Sequence, residues 1–92
     1  FCHYPLLPLE AHTLWNSEDV LDILYSHKCV KLYINGHNHA GEYQRKSGIH
    51  YLTLSGMVET KFQNSFAKIL LSDEKIEIKG YGREQSRELK IQ

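Results

Sequence analysis

The segment that most constrains the fold is a strand signal at residues 30–34 that runs directly into Asn35-Gly36-His37-Asn38-His39. Apolar and polar side chains alternate along residues 30–34, which is typical of a β-strand. Glycine lets the backbone turn tightly, and residues i and i+2 of an extended backbone point to the same side. The pattern therefore predicts a buried strand that presents His37 and His39 to one cavity, on a loop spanning residues 36–41.

A βαβ-like unit is expected over residues 1–35, ahead of this loop. Phe1-Cys2 has the character of the end of a buried strand. Asn16-Ser17-Glu18-Asp19 is typical of a helix start, because a capping side chain is followed by acids that suit the positive end of the helix dipole. An apolar stripe then predicts a helix over about residues 17–27, with Trp15 as a candidate hydrophobic staple.

Three histidines are expected to meet at one edge of this unit. If a right-handed crossover makes the strands on either side of the helix parallel neighbours, His3 lies beside His37 and His39 at their carboxyl ends. Imidazole is a common metal ligand, so the three side chains predict a metal site; zinc accepts imidazoles well, whereas manganese prefers added carboxylate oxygens. The alternative is a polar loop with solvated histidines.

The rest of the chain is predicted to be β-structure. A hairpin connection at Lys46-Ser47-Gly48 and a second turn at Ser72-Asp73-Glu74 join pairs of strand signals, which predicts a β-meander over residues 42–82. The tail, residues 83–92, has the pattern of one last short strand. One helix and a largely antiparallel meander place the chain in the α+β (α/β) class. The strand signals lie at residues 42–45, 49–54, 65–71 and 75–80.

Composition narrows the function classes. Eleven Lys and Arg balance eleven Asp and Glu, so the chain lacks the basic excess of a nucleic-acid binder or an anionic-membrane binder. No apolar run approaches the roughly 18 residues of a membrane-spanning helix. Cys2 and Cys29 do not make a disulfide framework, which favours a reducing compartment such as the cytoplasm. The only methionine is Met57 and the chain opens on Phe1, so we expect a piece of a longer protein.

Several residues are interpreted as structural. His12, His27 and His50 are expected at the surface or as helix caps, and the two cysteines as small buried apolar groups. The tyrosines and Trp15 are expected mostly in the core. The basic side chains of the tail are expected on a solvated face, with contact to a diphosphate as the alternative; they are Arg83, Arg87 and Lys90.

The order of these motifs resembles the C-terminal half of the calcineurin-like metallophosphoesterases: a strand ending in His3-Tyr4-Pro5, a helix, and a strand ending in Gly36-His37-Asn38-His39. A closer similarity is to the manganese-dependent ADP-ribose/CDP-alcohol diphosphatases. It adds Trp15-Asn16, Gly56-Met57-Val58-Glu59-Thr60 and Gly80-Tyr81-Gly82-Arg83 and extends over essentially the full length.

The resemblance implies the C-terminal portion of a four-layer α/β/β/α sandwich that binds two divalent ions, with manganese expected and zinc or iron as alternatives. By the same resemblance His3 and His37 would bind one ion and His39 the other. The two ions would activate a water for attack on a nucleoside diphosphate of the ADP-ribose or CDP-alcohol type. Asn38 and Glu59 are the candidate substrate-binding residues. The alternative for Asn38 is that it only forms a tight turn, and the alternative for Glu59 is that it contacts a metal ligand rather than the substrate.

The family's other ligand motifs, Asp-x-His, Gly-Asp and Gly-Asn-His, do not occur in these 92 residues. The resemblance therefore implies that a preceding portion of the same domain supplies the bridging carboxylate, and that this chain alone is inactive or nearly so. The alternative from a different class is a small β-rich module that binds one metal or another protein without catalysis.

Overall fold

The computed structural model describes residues 1–8 and 13–91. Within them the chain forms one helix and two three-stranded sheets, with strand orders β1-β3-β2 and β4-β5-β6. The elements are α1 (Ser17–Tyr25), β1 (Leu32–Asn35), β2 (Glu42–Lys46), β3 (Ile49–Thr53), β4 (Ser65–Leu71), β5 (Lys75–Gly82) and β6 (Arg87–Lys90).

The first sheet contains the parallel crossover expected from the sequence. Cys2 forms a parallel bridge with Asn35, so the chain before α1 and the strand after it are neighbours. On its other side β1 runs parallel to β3, and β2 pairs antiparallel with β3. The β2–β3 connection is Ser47-Gly48, with φ of 51° and 79°. Two consecutive positive φ angles are typical of a tight hairpin turn, and the predicted hairpin is therefore confirmed.

The second sheet is an antiparallel meander of β4, β5 and β6. The strands of residues 42–82 thus divide between two sheets rather than forming one continuous meander. The cause is that β1 and β2 occupy both edges of β3, which leaves β4 no edge of β3 to pair with. The short strand expected in the tail is β6. The predicted α+β class, with largely antiparallel sheets, is confirmed.

The layers are α1, the first sheet and the second sheet, and β3 lies at their centre. All five residues of β3 are buried, because alternate side chains face opposite layers. Ile49 and Tyr51 pack in the core beneath α1, whereas Leu52 packs in the core between the sheets. The buried members of the first core are Leu6, Leu7, Leu21, Ile49 and Tyr51. Those of the second are Leu52, Ile76, Ile78 and Leu89.

The start and the end of α1 differ from the expectation. Trp15 is 92% exposed, so the expectations that it is a staple and that it lies in the core are both wrong. Leu14 packs against the first core in its place. Asn16 is the N-cap residue, but its side chain makes no capping hydrogen bond, and the helix ends at Tyr25 rather than near residue 27. Within the described residues no helix has the length and apolarity needed to cross a membrane.

The interpretations of both cysteines and of His50 were wrong. Cys2 and Cys29 are both exposed, because Cys2 lies at the edge of the first sheet and Cys29 in the turn that leaves the helix. His50, expected at the surface, is only 3% exposed, since it lies on the buried central strand. His27 does act at the helix terminus, with Nδ1 lying 2.8 Å from the Ile23 carbonyl oxygen. His12 lies outside the described residues.

Two glycines with positive φ provide a matched test of the second sheet. A Cβ at Gly82 (φ 66°) would overlap the backbone carbonyl of Asn64, whereas a Cβ at Gly48 (φ 79°) would meet nothing within 4 Å. We expect Gly82→Ala to lower the free energy of unfolding by about 3 kcal/mol, and Gly48→Ala by about 1 kcal/mol, because only the first adds a steric clash to the backbone strain. Urea unfolding measures both; equal losses would contradict this packing.

Candidate metal centre

His3 and His37 lie side by side at the carboxyl ends of two neighbouring chain segments. The Cys2 N–H donates to the Ile34 carbonyl and the Gly36 N–H donates to the His3 carbonyl, each at 3.1 Å. This parallel pairing carries His3 up to the loop after β1. His37 Nδ1 lies 3.2 Å from His3 Nε2, and the ring centroids are 5.1 Å apart. The sequence-based expectation that these two imidazoles meet is therefore confirmed.

The backbone at His37 is strained. Its φ is 66°, and the Asn38 N–H donates to the Gly36 carbonyl at 2.8 Å, which closes a three-residue turn around His37. Such turns are rare, and a left-handed conformation at a residue other than glycine costs roughly 1–2 kcal/mol. Backbone strain of this kind concentrates at functional sites. In this chain the strained residue is His37, whose ring contacts His3.

Two tyrosines lie next to this histidine pair. The Tyr4 ring lies 4.5 Å from the His37 ring, and the Tyr33 hydroxyl donates to the Tyr4 carbonyl at 2.8 Å. Burial raises the pKa of Tyr33 well above its usual range. The same side chain hydrogen-bonds to Cys2 and lowers the pKa of that exposed thiol.

His39 has a different partner. Its Nδ1 lies 2.6 Å from Glu59 Oε2, and both side chains are about half exposed or more. Among the described residues, no three His, Cys, Asp or Glu side chains come together as a metal-binding group. The expectation that His3, His37 and His39 meet in one metal-binding group is therefore wrong for His39, since only His3 and His37 are in contact. The roles of all three histidines as ligands stay predictions.

Asn38 forms part of the turn between the two histidines. The Ala40 N–H faces its Oδ1 at 3.4 Å, and the Gly41 N–H donates to its carbonyl oxygen at 3.0 Å. These contacts support a turn-forming role. A hydrogen bond from Asn38 to a phosphate stays a prediction.

Two residues of the β5–β6 connection bind the backbone of the segment that follows β3. The sequence did not predict these contacts. Glu84 is 8% exposed and accepts a hydrogen bond of 2.8 Å from the Ser55 N–H. Arg83, expected on a solvated face, is half-buried and its guanidinium donates to the Gly56 carbonyl. The motif Gly80-Tyr81-Gly82-Arg83 marked this region only through the resemblance. Nothing in the local sequence pattern distinguishes Glu84 from an exposed acid.

A polar cleft of about 310 Å³ adjoins the loop that carries His39. The Arg87 guanidinium lies 4.8 Å from the centre of the Tyr43 ring on one wall. The cleft therefore offers both acidic and basic groups to a polar ligand. It is lined by Ala40, Gly41, Glu42, Tyr43, Thr53, Ser55, Glu84, Gln85 and Arg87.

Comparison with known proteins gives a consistent result. No protein-family model matches the chain. A manganese-dependent ADP-ribose/CDP-alcohol diphosphatase from Xenopus laevis is 40% identical over 92 aligned positions, which cover 95% of this chain and 26% of that protein. The diphosphatase of the same name from Arabidopsis thaliana is 34% identical and covers 91% of this chain.

A solved structure agrees with the sequence comparison. The crystal structure of a dimetal phosphatase from Danio rerio superimposes with a TM-score of 0.90 and 34% identity, covering 98% of this chain and 30% of that one. The chain spans about a quarter of the length of the curated relatives it matches. This chain is therefore similar in sequence to part of the manganese-dependent ADP-ribose/CDP-alcohol diphosphatases, and similar in fold to part of a dimetal phosphatase.

Proposed function

We propose that this chain is part of a two-metal hydrolase that cleaves nucleoside diphosphates of the ADP-ribose or CDP-alcohol type. The observation that carries the proposal is the contact between His3 and His37, which brings two imidazole nitrogens to 3.2 Å at the carboxyl ends of parallel segments. The similar diphosphatases are named for this substrate class and for manganese, which supports both parts of the proposal.

The nitrogen–nitrogen distance fits two ligands of one ion. Imidazole nitrogens bind such ions at about 2.1 Å, so two of them on the same ion lie roughly 3.0 to 3.4 Å apart for angles between about 90° and 109°. The observed 3.2 Å falls within this range. His39 would serve the second ion, with Glu59 as its partner in the chain.

The donors of this chain are mainly nitrogens. Manganese prefers carboxylate oxygens beside imidazole, and the family's acidic ligand motifs do not occur in the sequence. We therefore propose that another portion of the same domain contributes the bridging carboxylate. The isolated chain is then a structural and ligand-supplying part, without turnover of its own.

The chain's residues have distinct tasks in this function. His3, His37 and His39 would hold the ions, and the Tyr4 ring packs against the His37 ring. When bound, two divalent ions neutralise charge on the phosphoryl oxygens and lower the pKa of a bound water. Asn38, which lies between His37 and His39 in the sequence, would donate a hydrogen bond to a phosphate oxygen. The polar cleft beside His39 is wide enough to receive part of a nucleotide.

The compartment proposed for the protein is a reducing one, such as the cytoplasm. Both cysteines of the chain are free and exposed, and exposed free thiols persist in reducing surroundings.

A chimera tests the proposed activity. This chain replaces the matching 27% of the manganese-dependent ADP-ribose/CDP-alcohol diphosphatase from Danio rerio, to which it is 38% identical. We expect the chimera to hydrolyse ADP-ribose with added Mn²⁺, and the 92-residue chain alone to show no turnover. A folded chimera without hydrolysis, or an isolated chain with ordinary enzymatic rates, would contradict the proposal. Loss of secondary structure by circular dichroism identifies a chimera that failed to fold.

A further inference from the structure

Glu59 makes the shortest polar contact at the His39 imidazole. Its Oε2 lies 2.6 Å from His39 Nδ1. A carboxylate oxygen only accepts hydrogen bonds, so the proton between these atoms belongs to Nδ1. A neutral His39 ring in this arrangement carries its lone pair on Nε2, the nitrogen on the opposite side of the ring from Glu59.

The segment that carries Glu59 is itself fixed against the His39 loop. The Gly56 N–H donates to the His39 carbonyl at 2.9 Å. A Cβ at Gly56 would lie 3.1 Å from Cβ and Cγ of His39 and 3.2 Å from Glu59 Oε2, so the segment packs tightly against both side chains. Arg83 of the second sheet donates to the Gly56 carbonyl and anchors this segment.

We propose that Glu59 is a positioning residue that holds His39 as the Nδ1–H tautomer and so presents Nε2 as the atom that binds an ion. The choice of tautomer rests on the observed contact alone, and the binding of an ion at Nε2 rests on the proposed function. Histidines that bind metals commonly donate their other N–H to a carboxylate, which fixes the ring and raises its basicity.

The contact also argues against a direct role of Glu59 in substrate binding. A diphosphate is an anion, and a carboxylate placed against it repels it. A carboxylate engaged by an imidazole N–H instead acts through that imidazole. Glu59 therefore contributes by orienting His39 rather than by touching the substrate.

The tautomer is measured directly by nitrogen-15 NMR of the imidazole rings in the 92-residue chain at pH 8. We expect His39 to be Nδ1–H in the wild type and in Glu59→Gln, whose side-chain oxygen still accepts from Nδ1. In Glu59→Ala we expect the Nε2–H form, which dominates for free histidine, to prevail. Glu74→Ala, which removes an exposed acid from the β4–β5 turn, is the matched control and should leave His39 unchanged.

A titration with Zn²⁺ alone, followed at the same His39 signals, measures the consequence for metal binding. We expect the apparent affinity at His39 to fall about 10-fold in Glu59→Ala and to stay near the wild-type value in Glu59→Gln and Glu74→Ala. Because Glu59 is about half exposed, the variants should keep the wild-type dispersion of backbone amide signals, which confirms that they are folded.

The outcomes separate this proposal from the proposed function. If Glu59→Ala leaves His39 as Nδ1–H, the positioning role is wrong. If Glu59→Ala changes the tautomer but Zn²⁺ does not perturb His39 even in the wild type, the positioning role is supported and the ligand role of His39 in the proposed function is wrong.

Discussion

Replacing His37 with alanine is expected to lower the Mn²⁺-dependent hydrolysis of ADP-ribose by the chimera by at least about 100-fold. Loss of a partner that only orients a metal ligand costs 10- to 100-fold, so removal of a ligand itself should cost no less. The fold should survive, because alanine keeps a Cβ at the same left-handed φ of 66° and the turn hydrogen bond at this position is a backbone one. Steady-state rates measured at several Mn²⁺ concentrations give the effect.

The matched control is His27→Ala, which removes an exposed histidine at the end of α1. It should leave the rate within about twofold of the unsubstituted chimera. Raising the Mn²⁺ concentration should restore part of the His37→Ala activity, since the defect lies in metal binding. A His37→Ala chimera with the unsubstituted rate would show that His37 is not a ligand.

Replacing His50 with leucine is expected to lower the free energy of unfolding of the 92-residue chain by about 2 kcal/mol. His50 is buried between the sheets, where Nδ1 lies 2.8 Å from the Tyr43 hydroxyl and Nε2 lies 2.8 Å from the Lys90 carbonyl oxygen. The carbonyl only accepts, so Nε2 donates to it and Nδ1 accepts from Tyr43. Leucine fills similar space but leaves both partners without this bond, and an unsatisfied buried group costs about 1–3 kcal/mol.

Urea unfolding measures the loss, with His27→Leu as the control at an exposed histidine, expected to change the free energy by less than about 1 kcal/mol. A double-mutant cycle with Tyr43→Phe should show coupling, because the first substitution already removes the bond that the second would break. His50→Leu with unchanged stability would contradict the bridge between the two sheets.

The elements of this fold were largely predictable because each depends on local sequence. The Ser47-Gly48 turn and the alternating pattern around it predict the β2–β3 hairpin without reference to the rest of the chain. The assignment of strands to sheets was not predictable in the same way. It depends on β1 and β2 both pairing with β3, and the pairing of β1 with β3 joins strands that a loop and another strand separate in sequence.

The assignment of strands to sheets also decides which single residues are buried, and His50 is an example. A histidine on a strand with one wet face would be exposed, but β3 is central in its sheet and covered on both faces. Its environment is therefore set by β6, a strand some forty positions later in the chain. Trp15 is the converse case: an aromatic residue expected to be buried is exposed, because Leu14 takes the buried position beside α1.

The contact between His3 and His37 could be predicted from the sequence. A strand, a crossover helix and a second parallel strand bring His3 to His37 by topology alone, and the sequence contains signals for all three elements. The surroundings of His39 did not follow. Its contacts with Gly56 and Glu59, and the support from Arg83, join loops that no periodicity relates, and only a three-dimensional arrangement brings them together.

Anomalous diffraction at the manganese edge, from crystals of the chimera grown with Mn²⁺, shows directly whether the three histidines bind the ions. We expect two manganese peaks, one bonded to His3 and His37 and the other to Nε2 of His39. Manganese peaks that touch none of these three histidines would contradict it.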